Sequence, residues 1–330
     1  MNHSRLIKDF LHKTRMLRLG AGLRNGKIVS ILRYHSITDH DDNYYCSPSI
    51  ALAPDVFEAH VKYLSSHFNI ISLDEVHDCL SKKEKFPDRA VVFTFDDGYK
   101  DNFTAYEILK KYHATGTFYI ATGCIDNKEP LWLFEIIYLL HHTGQNELCI
   151  NVGGVANRFP LLTPSDRWAA SGRVTEIIKS NNLEIREQVR EQIREQTRDV
   201  HDFSDKAAAV MLSTDQVKEM SDNGMTIAGH TVTHLNLPNA SPEDARNEIA
   251  ECKSAIFEMT GKEARHFSYP NGGKYAYYNS SIIQMVKDAG FLTATTSNNG
   301  TADIHSDPFQ LSRIRITPYL SDILYQMCRE

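Results

Sequence analysis

Long apolar runs are missing from this 330-residue chain. The nearest approach, residues 131–140, is interrupted by Glu135 and falls far short of the ~20 residues a membrane-spanning helix needs. An excess of basic charge is missing too. The 36 Lys and Arg against 42 Asp and Glu leave a net charge of −6, which sets aside a nucleic-acid-binding surface. Glycine (17) and proline (11) are too few for a disordered or collagen-like chain. The six cysteines form no C-x-x-C pair, and none lies closer than 25 residues to the next. That spacing excludes a disulfide scaffold and suits free thiols in a reducing compartment. A secretory leader needs an uninterrupted apolar core, but Arg5, Lys8, Lys13, Arg15 and Arg18 recur where that core would lie. The expected location is therefore cytoplasmic.

What is present is an ordinary globular composition, 42% hydrophobic and 24% charged, with length for one large α/β domain or two medium ones. Residues 1–27 carry seven Lys/Arg against one acid, Asp9, and Leu6, Phe10, Thr14 and Leu17 recur at helical spacing. This predicts a short basic amphipathic helix, which either packs on the domain or makes peripheral contact with the anionic inner face of a membrane. Gly20, Gly22 and Gly26 follow a helix rather than a strand, so they read as a turn and not as a dinucleotide fingerprint. From residue 28 onward strands and helices alternate. Strands are predicted at 28–34, 69–72, 90–95, 116–121, 225–228, 266–269, 291–296 and 312–317. Helices are predicted at 55–68, from 73, and at 101–112, 214–223, 242–260 and 276–289. The run AVVFTF at 90–95 has no alternating polar positions, as expected of a strand covered on both faces. The resulting fold class is α/β, a distorted (β/α) barrel of seven or eight strands rather than an open sheet.

Residues 124–212 break this rhythm and predict a mostly helical insertion folded over the barrel rim. They hold an apolar helix at 131–140 and a hairpin, 148–152 with 155–160, turning on Gly153-Gly154. Two helices follow, one of them the charge-rich 183–199. There Glu187/Arg190, Glu191/Arg194 and Glu195/Arg198 are i,i+3 pairs. Only Ile185, Val189 and Ile193 form an apolar stripe, so most of that helix is expected to meet water.

Two strand ends carry chemistry. Thr94-Phe95-Asp96-Asp97-Gly98-Tyr99 ends a buried strand in adjacent carboxylates, an arrangement that costs energy unless a cation lies between them. The same residues also make a good turn and helix start. His230-Thr231-Val232-Thr233-His234 follows a second strand, and histidines four apart on one helical turn can bridge a zinc ion. A barrel brings all such carboxyl ends to one face. Two histidines and one carboxylate leave a coordination position open for water, as in a catalytic zinc site.

TFDDGY, then HTVTH, then His266-Phe267-Ser268-Tyr269-Pro270-Asn271-Gly272 resemble the first three motifs of the polysaccharide deacetylase family, carbohydrate esterase family four. The likeness covers residues 28–123 and 213–318. The opening Leu32-Arg33-Tyr34-His35 and the closing Leu311-Ser312-Arg313-Ile314 are similar to members associated with exopolysaccharide synthesis. The resemblance implies that Asp97, His230 and His234 hold a divalent metal, zinc foremost, with cobalt, nickel or manganese as alternatives. It implies that Asp96 is the general base for the attacking water and that the backbone N–H of Tyr269 helps hold the oxyanion. Two departures stand out. Ser268 occupies a place where many members carry an arginine that tethers the base, and Leu311-Ser312-Arg313 replaces the Leu-x-His that supplies the general acid. His35, at the end of the first strand, is the expected replacement acid, with a core histidine as the alternative. Arg313 is expected to neutralise the base or a charged substrate group, and Tyr99 and Pro270, beside the motifs, to contact substrate.

The expected activity is removal of acetyl, N-acetyl ahead of O-acetyl, from a sugar of a surface glycan or its precursor. The partner is then an acetylated oligo- or polysaccharide, lipid- or nucleotide-linked if the reaction is cytosolic, with no nucleic acid. A metal amidohydrolase acting on a small non-sugar amide and a non-catalytic glycan-binding protein are the alternatives.

Overall fold

The strand-forming runs become β1 (Ile28–Tyr34), β2 (Ser36–Ile37), β3 (Ala51–Leu52), β4 (Asn69–Ile70), β5 (Ala90–Phe95) and β6 (Thr117–Ile120). They continue with β7 (Glu147–Val152), β8 (Val155–Pro160), β9 (Thr226–Gly229), β10 (His266–Ser268), β11 (Thr293–Thr295), β12 (Ala302–Asp303) and β13 (Ile314–Arg315). This is a computed structural model, and it describes Lys8 and residues 26–39, 45–273 and 276–328. The main sheet runs β11-β10-β9-β6-β5-β1, all parallel, with β4 beside the start of β5. β13 pairs with β1 in parallel, and Leu311, just ahead of it, bridges to Thr295 of β11. Those last contacts curl the sheet round into a distorted (β/α) barrel. β12 adds an antiparallel pair at the base of β1.

Alternation decides which residues face the axis. Val29, Ile31, Val92, Tyr119, Ala228 and Leu311 form one apolar cluster inside the sheet. Their neighbours Leu32, Val91, Phe93, Phe118, Ile227, Phe267 and Ile314 pack outward with the helices. A two-residue period thus points Arg33 and His35 of the first strand, Asp96 after β5, and Arg313 and Arg315 of the last strand toward the upper axis. The covering helices are α1 (Pro54–His67), α2 (Leu73–Lys82), α3 (Asn102–Lys111), and, after the insertion, α8 (Thr214–Asp222), α9 (Pro242–Thr260), α10 (Ser280–Asp288) and α11 (Leu320–Cys328). Their starts are chemically marked. Ser72 and Ser213 close capping boxes with Glu75 and Gln216, and Ser241 accepts from the N–H of Asp244.

The insertion contains α4 (Trp132–His142), α5 (Pro164–Lys179), α6 (Leu183–Gln196) and α7 (Phe203–Ala207), with the β7–β8 hairpin between α4 and α5. Gly153 and Gly154 both have positive φ, 59° and 83°, as a two-residue hairpin turn requires. The insertion has an apolar core of its own, built from Trp132, Ile136, Leu148, Val174, Val189 and Ile193 among others. α6 is less exposed than its charge pattern suggests. Glu135, the lone acid of α4, is buried and accepts from Arg190 Nε at 2.6 Å and from Arg194 Nε. Arg186 and Arg190 are themselves buried, so two of the charges predicted to face water instead join α6 to α4 and the barrel. A buried carboxylate is tolerable there because two guanidiniums satisfy it.

The basic helix expected over residues 1–27 lies outside the described residues, apart from Lys8. That lysine reaches Asp322 of α11 at 2.7 Å. Among the described residues, no helix is long and apolar enough to cross a membrane.

Candidate active site and metal centre

Asp97 follows β5, and His230 and His234 follow β9. His230 Nε2 lies 3.4 Å and His234 Nε2 3.3 Å from the same oxygen, Asp97 Oδ1, and all three side chains are buried. One ligand atom from each falls within 4.8 Å of the others. The two histidines do not sit on a helical turn, as their spacing suggested. Residues 230–234 form an irregular loop in which Thr231 (φ 64°) and His234 (φ 55°) adopt the left-handed region. Asp97 (φ 80°) and Asn271 (φ 75°) do the same, so four of the non-glycine residues with positive φ surround one point. Such conformations cost about 1–3 kcal/mol each and persist where the surroundings enforce them.

The enforcing group for the histidine loop is Glu248 of α9. Its carboxylate accepts from the N–H of Val232 (2.8 Å), the N–H of Thr233 (2.9 Å) and Thr233 Oγ1 (2.6 Å). Arg186 of α6 clasps the same Thr233 from the other side. Glu248→Gln sets an amide N–H₂ against donors. It is expected to weaken metal binding about 10–100-fold, the range for outer partners of ligand residues. Stability should fall by about 1–3 kcal/mol for the lost charged acceptor. Zinc titration alongside thermal unfolding measures both, and an unchanged affinity would remove Glu248 from the account.

Asp96 has a different environment from Asp97. Arg313 approaches it with two nitrogens, at 2.6 and 2.7 Å, and also donates to Ser268 Oγ (3.0 Å) and the carbonyl of Thr296 (2.9 Å). Burial opposes the charge on Asp96, but the Arg313 guanidinium outweighs it and brings the carboxyl down to about 2. The arginine expected near residue 268 is thus supplied by the last strand, and Ser268 is small enough to let it pass. His35 Nε2 stands 3.8 Å from Asp96 Oδ2. Burial pushes the His35 ring down to about 4, against the pull of Asp97 and Asp96.

These groups border a cavity of about 600 Å³, walled on the barrel side by Arg33, His35, Asp96, Asp97, Asn271 and Arg315. Insertion residues Trp168, Ser171, Gly172, Thr175 and Lys179, one face of α5, line it opposite.

Four expected roles need correction. The backbone N–H of Tyr269 is occupied by the carbonyl of Thr295 (3.2 Å), and its ring is buried with its hydroxyl on Phe309 O, so it holds no oxyanion here. Tyr99 is fully buried against Tyr45 and the insertion, and Pro270 is buried as well, so neither meets a substrate. Arg313 is also fully buried and spends its donors on Asp96, Ser268 and the barrel wall, which leaves the base-neutralising reading and not the substrate-binding one. Asn271 is the residue the sequence reading passed over. It lines the cavity, and both polar atoms of its side chain are buried without a partner among the described residues. The signal was the Asn-Gly pair at the strand end, where asparagine tolerates the left-handed region. Beside it, a Cβ on Gly272 would come within 2.4 Å of Ser297 Cβ, so only glycine fits.

The family model described as polysaccharide deacetylase matches residues 83–294. The chain belongs to the polysaccharide deacetylase family. A Bacillus subtilis protein named "Putative polysaccharide deacetylase YxkH" is 23% identical over 295 residues, spanning 89% of this chain and 73% of that protein. The Streptococcus pyogenes deacetylase PplD, solved with acetate, superposes with a TM-score of 0.61 at 22% identity, covering 92% of this chain and 99% of that one. IcaB from Ammonifex degensii superposes at 0.57 with 17% identity, covering 92% and 97%. At such identities the two structures speak for the fold, and the family model speaks for a hydrolase of the deacetylase type.

Proposed function

We propose that this polysaccharide deacetylase family member is a divalent-metal-dependent hydrolase that removes acetyl from an N-acetylated sugar of a surface glycan or its precursor. The observation that carries the reading is the convergence of three buried ligand atoms beside a separate, arginine-clamped carboxylate at the floor of a cavity. The donor set suits a cation. His230 Nδ1 meets the carbonyl of Ser268 at 2.7 Å, so it carries the proton and leaves the Nε2 lone pair facing Asp97 Oδ1. Two lone pairs 3.4 Å apart repel unless positive charge lies between them. When bound by Asp97, His230 and His234, a divalent ion such as zinc polarises the acetamide carbonyl and lowers the pKa of water toward ~7.

The side chains then divide the proton work. Asp96 stays ionised at any working pH and accepts the proton of the attacking water, its plane fixed by Arg313. As the C–N bond breaks, the leaving nitrogen needs a proton or it departs as an unstable anion. His35 is neutral near pH 7, so it must first be charged during turnover, and Asp96 at 3.8 Å is the donor within reach. This need for an acid favours an amide over an ester. The six free cysteines suit a reducing compartment, which supports a reaction on the cytoplasmic side.

The test is release of acetate and free amine from N-acetylated chito-oligomers, before and after chelation and with zinc restored, against small non-sugar amides. Activity that survives chelation, or is confined to the small amides, would end the reading. Asp96→Asn keeps shape and removes the acceptor. Turnover should fall about 10²–10⁴-fold with metal still bound, and loss of metal in this variant would mean that the roles of the two aspartates are exchanged. For His35→Ala the expected result is a drop in kcat of about 10²-fold or more at full metal occupancy. Wild-type turnover in that protein would assign the acid to water or to another side chain.

A further inference from the structure

Arg33 and Arg315 are register partners across β1 and β13, on the face that points toward the cavity, and both line it. Like charges placed directly opposite on neighbouring strands are destabilising, and nothing acidic separates these two. Among the described residues, the Arg33 guanidinium has no hydrogen bond or ion pair, and its Nε is buried and unpartnered. Arg315 donates to a single backbone carbonyl, that of Ser49, at 3.0 Å. A third cation, Lys179 of α5, joins them in the lining.

The acids of the lining do not offset these charges. They are Asp96 and Asp97, the first already neutralised by Arg313 and the second a single negative charge against the three cations of the lining. The floor of the cavity is therefore positive before any metal enters. A neutral acetylated glycan would leave the half-buried Arg33 guanidinium without a partner and would offer the exposed Arg315 nothing beyond its Ser49 carbonyl. Two guanidinium forks side by side match the oxygens of a phosphate or diphosphate, which accepts from several donors at once.

We infer that the acetylated sugar turned over here carries a phosphate or diphosphate group, seated between Arg33 and Arg315 while the acetamide lies at Asp97 and the two histidines. The inference rests on the deacetylase reading of the same site, and it narrows the substrate class to phosphate-linked sugars. The anion can come from a nucleoside diphosphate sugar or from a polyprenyl diphosphate sugar, which share this chemistry.

The experiment compares kcat/KM for four acetylated substrates: a neutral chitotetraose, an N-acetylmuramic acid oligomer, a nucleoside diphosphate N-acetylhexosamine and a polyprenyl diphosphate N-acetylhexosamine in detergent. The wild type should prefer one or both diphosphates about 10–100-fold, the worth of a charge-assisted contact, and the better of the two identifies the source. Arg33→Gln should collapse that preference toward unity, chiefly through KM. A wild type that prefers the neutral oligomer, or an N-acetylmuramic acid oligomer whose anion is a carboxylate, overturns the inference. So does an Arg33→Gln protein that keeps the full preference. Binding of inorganic pyrophosphate by calorimetry separates this failure from that of the activity. If no acetylated sugar is turned over but pyrophosphate binds, and Arg33→Gln or Arg315→Gln weakens it about tenfold or more, the anion seat stands while the deacetylase reading falls. Equal pyrophosphate binding in wild type and both variants removes the seat itself.

Discussion

His230→Ala will retain no stoichiometric zinc and release acetate at the background rate, while its circular dichroism stays that of the folded barrel. The reason is geometric. Among the described residues three side chains bring ligand atoms to the site, His230 is one of them, and its Nδ1 bond to Ser268 O aims the ring. Two remaining ligands, one of them on a strained loop, do not make a site that excludes water and holds an ion. The fold survives because the barrel strands carry their own apolar contacts below and around that position. Metal analysis of the dialysed protein, set beside an acetate assay, gives the answer. A metal-replete and active His230→Ala protein would falsify the assignment of the centre.

Arg313→Met should be the most damaging single change away from the metal ligands. It leaves the buried Asp96 carboxylate without its cation, and breaking a buried pair in this way costs about 3–5 kcal/mol. Burial, the largest influence on Asp96, then goes unopposed by Arg313 and drives its carboxyl upward, so the base becomes harder to ionise as well as unclamped. In the wild type the folded carboxyl lies at about 2, below the ~3.9 of an unfolded aspartate. The stabilisation from this pair is thus complete above about pH 4 and is lost as pH falls toward 2. Arg313→Met should flatten that part of the acid-unfolding curve and shift the acid limb of the turnover profile upward. An Arg313→Met protein with wild-type stability at pH 7 would show that the pair contributes nothing net.

Much of this was legible from periodicity. The run 90–95 is β5 residue for residue, 242–260 is α9, and the Gly153-Gly154 hairpin stands where alternation and turn chemistry put it. These are places where local preference and global packing agree. The identity of Asp97, His230 and His234 as neighbours was legible too, because a parallel barrel gathers strand ends. What could not be read was partner choice across long sequence separation. Arg313, 217 positions beyond Asp96, was expected to neutralise either the base or a charged substrate group, and only the folded chain decides between them. Likewise Glu135 reads as an interruption of an apolar helix until Arg190 and Arg194 close on it. Helical spacing misled at residues 230–234, where tertiary hydrogen bonds donated to Glu248 override local propensity. The backbone N–H of Tyr269 failed for a related reason, since a strand end still spends its donors on the neighbouring strand.

The bond between Asp96 and Arg313 also ties chemistry to chain order. The base follows β5 and its cation stands just ahead of β13, so the pair exists only once the two ends of the barrel have met. Until they meet, Asp97, His230 and His234 can lie together while Asp96 lacks the clamp that fixes its plane. Closure of the sheet is therefore a condition for the site's chemistry, because loosening of the β1–β13 seam would release the base without touching the metal ligands.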